Sequence, residues 1–97
     1  MSRPRPLRWL EAARDDLGQI AESIAADNPR AAERLSERIL DRVQILSDHP
    51  HLGSPCPFAP RVRFLVVGNY TVHRKEVVIR AVVHGRRLFR PGWLRRE

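Results

Sequence analysis

The sequence predicts an α+β domain of order β-α-α-β-β-β, a helical hairpin packed on one face of a small, mostly antiparallel sheet. Three observations carry this prediction. Apolar residues recur with a helical period from about residue 13 to residue 46, broken once by Asp27-Asn28-Pro29. After Pro60 the period falls to two. A short alternating run, Leu7-Arg8-Trp9, precedes the helices and reads as a brief strand with one buried face.

In the first helix Ala13, Leu17, Ile20, Ala21 and Ile24 fall on one face, opposite Arg14, Asp15, Gln19 and Glu22. Gly18 weakens this helix and is expected to mark a close backbone contact. Asn28 is placed to cap the second helix, and Pro29 fits its first position, where a missing N–H costs nothing. Ala32, Leu35, Ile39, Val43 and Leu46 form the second apolar stripe, and the outer face offers the i,i+3 pairs Arg30–Glu33, Arg34–Glu37 and Arg38–Asp41. The short join makes the two helices antiparallel.

Residues 48–60 carry four prolines and a glycine and are expected to form a loop without regular structure. Val62, Phe64 and Val66 then alternate with Arg61, Arg63 and Leu65. Gly68-Asn69 reads as a hairpin turn, Tyr70 and Val72 open the next strand, and Lys75-Glu76 reads as a second turn. Val77 to His84 is nearly continuous β-branched sequence, as in a strand covered on both faces. On it Val78, Arg80, Val82 and His84 are expected to share one face.

Composition narrows the class. A chain of 97 residues has room for one domain. A single cysteine rules out a disulfide scaffold within the chain, and 42% hydrophobic residues argue against disorder. No uncharged stretch approaches the roughly 18 residues of a membrane helix, and the basic N-terminus is not followed by the apolar run of a signal peptide. A soluble cytoplasmic protein without membrane partners is expected. The net charge of +7 is unevenly placed: residues 11–27 sum to −4 and residues 61–97 to +8. Such a basic last third recruits something acidic, either nucleic acid or an acidic protein segment.

The sequence resembles the RelE/ParE superfamily of toxins from bacterial type II toxin–antitoxin pairs, and within it the ParE branch. The landmarks are Trp9 with Ala12-Ala13-Arg14-Asp15-Asp16-Leu17, then Ile20-Ala21 and Ile24-Ala25. Asp27-Asn28-Pro29-Arg30-Ala31-Ala32, with Leu35 and Ile39, is the best local match. His49-Pro50-His51-Leu52-Gly53, Arg61-Val62-Arg63, Gly68-Asn69-Tyr70 and Val82-Val83-His84-Gly85-Arg86-Arg87 complete the set. The chain departs from the family in carrying His73-Arg74 where a Tyr-Arg pair is common. The resemblance implies a RelE/ParE-like fold over residues 1–87, followed by a basic tail at 88–97.

The resemblance also implies two kinds of target. ParE-like toxins poison DNA gyrase by binding, without chemistry of their own. On that reading the target-binding residues are Arg61, Arg63, Arg80, His84, Arg86, Arg87, Phe89 and Trp93, the last two as aromatic anchors. RelE-like toxins cut messenger RNA on the ribosome. On that alternative His84 is the acid or base, and Arg61, Arg63, Arg80 and Arg86 hold the phosphate. The binding reading is preferred, because no further tyrosine or histidine follows His84. Either toxin implies a ParD-like or similar antitoxin, here an acidic segment with spaced apolar anchors lying over the helical hairpin and against the arginine-rich sheet.

Other readings carry less. A basic DNA-binding regulator would need a basic recognition helix, and neither helix is basic. His49, His51 and Cys56 match no standard zinc spacing, so no metal or other cofactor is expected and Cys56 is read as a small buried thiol. Trp9 and Tyr70 are assigned to the core.

Overall fold

The structure is a computed structural model that describes residues 4–57 and 59–83. It contains β1 (Leu7–Trp9), α1 (Glu11–Ala25), α2 (Pro29–Asp48), β2 (Ser54–Cys56), β3 (Ala59–Leu65), β4 (Gly68–Val72) and β5 (Val77–Val82). The strands form one five-stranded sheet of order β1-β5-β4-β3-β2. β1 runs parallel to β5, with Leu7 opposite Val77, and the remaining pairs are antiparallel. A parallel neighbour requires a crossover: the helical hairpin carries the chain across the sheet from β1 to the opposite edge strand β2, and the meander β2 to β5 returns it beside β1.

Local chemistry sets the helix ends. Asn28 accepts the Ala31 N–H at 3.1 Å, with Pro29 beside it at the start of α2, as its sequence predicts. The α1 entry has no side-chain cap. There the Leu10 carbonyl accepts from the Ala13 and Arg14 amides, while the Leu10 N–H donates to Ile79 in β5. The far end of α2 is tied to the N-terminal segment in both directions. The Arg5 N–H donates to the Ser47 carbonyl at 2.9 Å, and the Ser47 hydroxyl donates to the Arg5 carbonyl at 2.6 Å.

The core lies between hairpin and sheet. Ala13 and Ile20 of α1 and Ile39, Val43 and Leu46 of α2 pack with Tyr70, Val77, Ile79 and Val82 of the sheet. Leu17, Ile24 and Leu35 flank them half-buried. Both helical stripes are therefore the ones their periodicity indicates. The three i,i+3 ion pairs on the outer face of α2 are not closed among the described residues. An ion pair does join Arg8 of β1 to Glu76 at 3.1 Å.

Three sequence expectations need correction. The 48–60 segment is not wholly irregular: Ser54–Cys56 forms β2, paired to β3 at Ser54–Phe64 and Pro55–Arg63. Proline is tolerated there because β2 is the last strand of the sheet and its outer side needs no donors. The β3–β4 turn is Val66-Val67, not Gly68-Asn69, and Val66 is 85% exposed. Gly68 already lies in the ladder, where a Cβ would sit 2.0 Å from the Ala81 carbonyl oxygen. The close approach of β5 selects glycine at that position, not a turn. Lastly, Val78 and Val82 do not share a face. Val78 lies opposite Thr71 and Val82 opposite Gly68, with a register shift between them. One extra residue in β5 reverses the alternation, which no count along the sequence reveals.

Candidate functional site

Arg63 is not a free cation. Its guanidinium reaches back over β2 and donates through Nη2 to the carbonyls of His51 and Gly53. The Gly53 N–H in turn donates to the Tyr70 hydroxyl at 2.9 Å. Arg63 and Tyr70 are directly paired across β3 and β4, so both side chains rise from the same face of the sheet. The segment 51–53 is held between them on both its donor and acceptor sides. A Cβ on Gly53 would lie 2.0 Å from the Phe64 carbonyl oxygen, so only glycine passes beneath β3 at this point. Three separate landmarks of the sequence, around residues 49–53, 61–63 and 68–70, meet in this one clamp.

Of the other sequence-derived site residues, the two that are described, Arg61 and Arg80, lie apart. Arg61 is exposed on β3. Arg80 is half-buried on β5 within the register shift. β4 lies between these strands, which separates their backbones by roughly 10 Å. His84, Arg86, Arg87, Phe89 and Trp93 lie outside the described residues. His73 and Arg74 sit in the β4–β5 connection, where the His73 N–H donates to the Glu76 carbonyl at 2.8 Å. His49 and His51 are exposed, whereas Cys56 is buried and free. Tyr70 is a core residue at 1% exposure; Trp9 is half-buried and packs at the core's margin.

Two features had little or no place in the sequence reading. The Val82 N–H donates to Asp16 Oδ2 at 3.1 Å, which fastens α1 to the end of β5. The second feature is a groove of about 450 Å³ lined by Trp9, Arg14, Leu17, Gly18, Ala21, Ser36 and Leu40. It continues into a second depression of about 430 Å³ through the shared residues Ala21, Ser36 and Leu40. The continuous channel runs along the seam between α1 and α2. Its far end carries Glu22, Glu33 and Glu37. Leu40, 47% exposed, was the available signal: it is an apolar residue standing off the Ala32–Leu46 stripe.

A helical hairpin over one face of a sheet with a parallel edge strand, joined to an arginine-rich last third, places the chain in the class of small basic α+β domains. The sequence model of one toxin family, described as ParE toxin of type II toxin-antitoxin system, parDE, matches residues 7–89. The chain belongs to this ParE toxin family and is the toxin component of a type II toxin–antitoxin system. Among solved structures it is similar to a chain of the chromosomal ParDE TA system from P. aeruginosa, with 25% identity and a TM-score of 0.72. That alignment covers 84% of this chain and 96% of the other. No curated protein sequence matches the chain. Among the described residues no helix is long and apolar enough to cross a membrane.

Proposed function

We propose that this toxin acts by binding DNA gyrase, without catalytic chemistry of its own. The ParE family membership supports the target. The observation that favours binding over RNA cleavage is the commitment of Arg63. A phosphate-binding arginine must present its fork to the substrate. Here Nη2 is held by two backbone carbonyls. Withdrawing it would leave both carbonyls without this donor and release segment 51–53. Cleavage thus loses one of the four arginines that would hold the phosphate, whereas a binding surface does not depend on any single cation, and the proposed contact surface is Arg61, Arg80 and the segment bearing His84, Arg86, Arg87, Phe89 and Trp93.

The decisive experiment is supercoiling by purified gyrase with and without the protein, run beside cell-free translation with message lengths mapped. Loss of supercoiling with intact messages is the expected result. Intact supercoiling with shortened messages, abolished by His84→Ala, establishes the endonuclease instead.

We further propose that the cognate antitoxin is ParD-like and lies in the channel between α1 and α2. Its apolar anchors meet Trp9, Leu17 and Leu40, which the toxin leaves partly uncovered. They supply most of the affinity, since exposed ion pairs contribute only about 0–1 kcal/mol each.

A further inference from the structure

Gly18 is the eighth residue of the fifteen in α1. Glycine inside a helix costs roughly 0.5–1 kcal/mol relative to alanine. Two internal causes ordinarily justify that cost, and both are missing here. The first is a positive φ, which among the described glycines occurs at Gly68 and not at Gly18. The second is a neighbour too close to admit a side chain. At Gly53 and Gly68 a Cβ would meet a carbonyl oxygen at 2.0 Å; at Gly18 it would meet nothing within 4 Å. A hinge is no explanation either, since α1 is continuous from Glu11 to Ala25. The close contact expected at Gly18 is therefore absent within the described chain.

Position supplies the missing reason. Gly18 lines the inter-helix groove together with Leu17 and Ala21 of α1 and Leu40 of α2. A bare backbone there leaves open the space that a side chain would take from the groove, beside the apolar Leu17, Ala21 and Leu40. We propose that Gly18 is a specificity-determining residue of the antitoxin interface: it admits one large apolar side chain of the antitoxin, of leucine or phenylalanine size, seated directly on the α1 backbone. The proposal rests on the reading of this channel as the antitoxin's seat.

Charge gives the occupant a direction. The groove end beside Trp9 carries Arg14, and the opposite end carries Glu22, Glu33 and Glu37. A uniformly acidic segment laid along the whole channel would be repelled by the three glutamates. The matching segment is acidic where it passes Arg14, apolar over Gly18 and Leu40, and neutral or basic beyond. This polarity refines the expected acidic segment with spaced apolar anchors, and it distinguishes a shaped protein ligand from a general polyanion.

The test is calorimetric titration of the ParD-like antitoxin purified from the same operon into four variants of the full chain. These are Gly18→Ala, Gly18→Leu, Leu40→Glu and, on an exposed α1 position that does not line the groove, Ser23→Leu. Circular dichroism and thermal melting accompany each. The expected result is binding weakened about tenfold by Gly18→Ala and about a hundredfold or more by Gly18→Leu and Leu40→Glu. Ser23→Leu should bind as wild type, and all four variants should fold. If Leu40→Glu weakens binding while both Gly18 variants bind as wild type, the antitoxin uses the groove without seating on Gly18, and the proposal is overturned alone. If neither Leu40→Glu nor Gly18→Leu weakens binding, the channel is not the antitoxin's seat, and both readings fall together.

Discussion

Gly53 and Gly18 lack the same atom for opposite reasons. At Gly53 a Cβ would collide with the Phe64 carbonyl, and the backbone on either side is held by Arg63 and Tyr70. At Gly18 a Cβ would project into open space. The first glycine is demanded by the chain's own packing; the second is tolerated against it. The clamp is thus a part of the molecule built for folding, and the helical seam a part built at some expense to folding. A residue that lowers stability and serves no contact among the described residues is where the proposed partner's requirement is sought.

The largest effect is expected at the clamp. Gly53→Ala forces a backbone shift of segment 51–53 away from β3, and with it the loss of the Arg63 and Tyr70 bonds. Overpacking against a rigid carbonyl should cost about 3 kcal/mol or more, or roughly 15 °C in melting temperature for a domain of this size. Thermal unfolding followed by circular dichroism measures it. A variant that melts within a few degrees of wild type would show that the segment moves freely and that no clamp exists.

Tyr70→Phe removes one bond and keeps the ring in the core. The Gly53 N–H then loses its partner in a half-buried site, which costs about 1–3 kcal/mol. Arg63→Lys separates structure from charge at the same place. A lysine keeps the cation, but its shorter, unbranched side chain does not carry a donor out to the position from which Nη2 reaches both the His51 and Gly53 carbonyls. If Arg63 serves the fold, Arg63→Lys destabilises the domain, while gyrase inhibition per folded molecule is unchanged. Inhibition lost at full stability would move Arg63 from the clamp to the target surface.

These cases show what the sequence made legible. Helical stripes were readable because burial on a helix repeats in register with the chain: Ile20, Ile39, Val43 and Leu46 fall where the period places them. The Asn28 cap was readable for a similar reason, since donor and acceptor lie three residues apart. The sheet was less so. A single extra residue in β5 turns Val82 away from Val78, and the Val66-Val67 turn follows from a carbonyl of Ala81 that lies thirteen residues beyond Gly68. The site was least legible. Arg63 reads as a free cation until the His51 and Gly53 carbonyls are seen around it. The inter-helix groove depends on how two stripes leave Trp9, Leu17 and Leu40 uncovered, a property of neither helix alone. The family landmarks at residues 49–53, 61–63 and 68–70 prove to be mutual partners. They carry the fold and leave target choice to other residues.

On the hairpin itself, Asn28→Ala offers a calibration between the two glycines. It removes the acceptor for the Ala31 N–H at the start of α2 and touches neither clamp nor groove. A loss of about 1 kcal/mol is expected, equivalent to roughly 4–8 °C. Antitoxin binding by the folded fraction should be unchanged. Weakened binding would place the hairpin tip inside the interface and extend the channel's occupant beyond Ala25 and Pro29.

The smallest effect has the opposite sign and decides the comparison. Gly18→Ala adds a methyl group to open space, reduces the freedom of the unfolded chain and raises helix propensity. It should stabilise the free toxin by about 0.5–1 kcal/mol, a rise of a few degrees in melting temperature. The measurement needs the toxin without its antitoxin, because a bound partner would add its own stabilisation and mask the sign. Gly53→Ala under the same conditions supplies the contrast: one glycine-to-alanine change lowers the melting point steeply and the other raises it. A fall at Gly18 would mean that the chain itself needs the glycine there, through a contact or a helix distortion. The inference from an unneeded glycine to an outside partner would then lose its premise, whatever the binding data show. A rise, together with weaker antitoxin binding by the same variant, would mean that one methyl group trades the toxin's own stability against the fit of its neutralising partner.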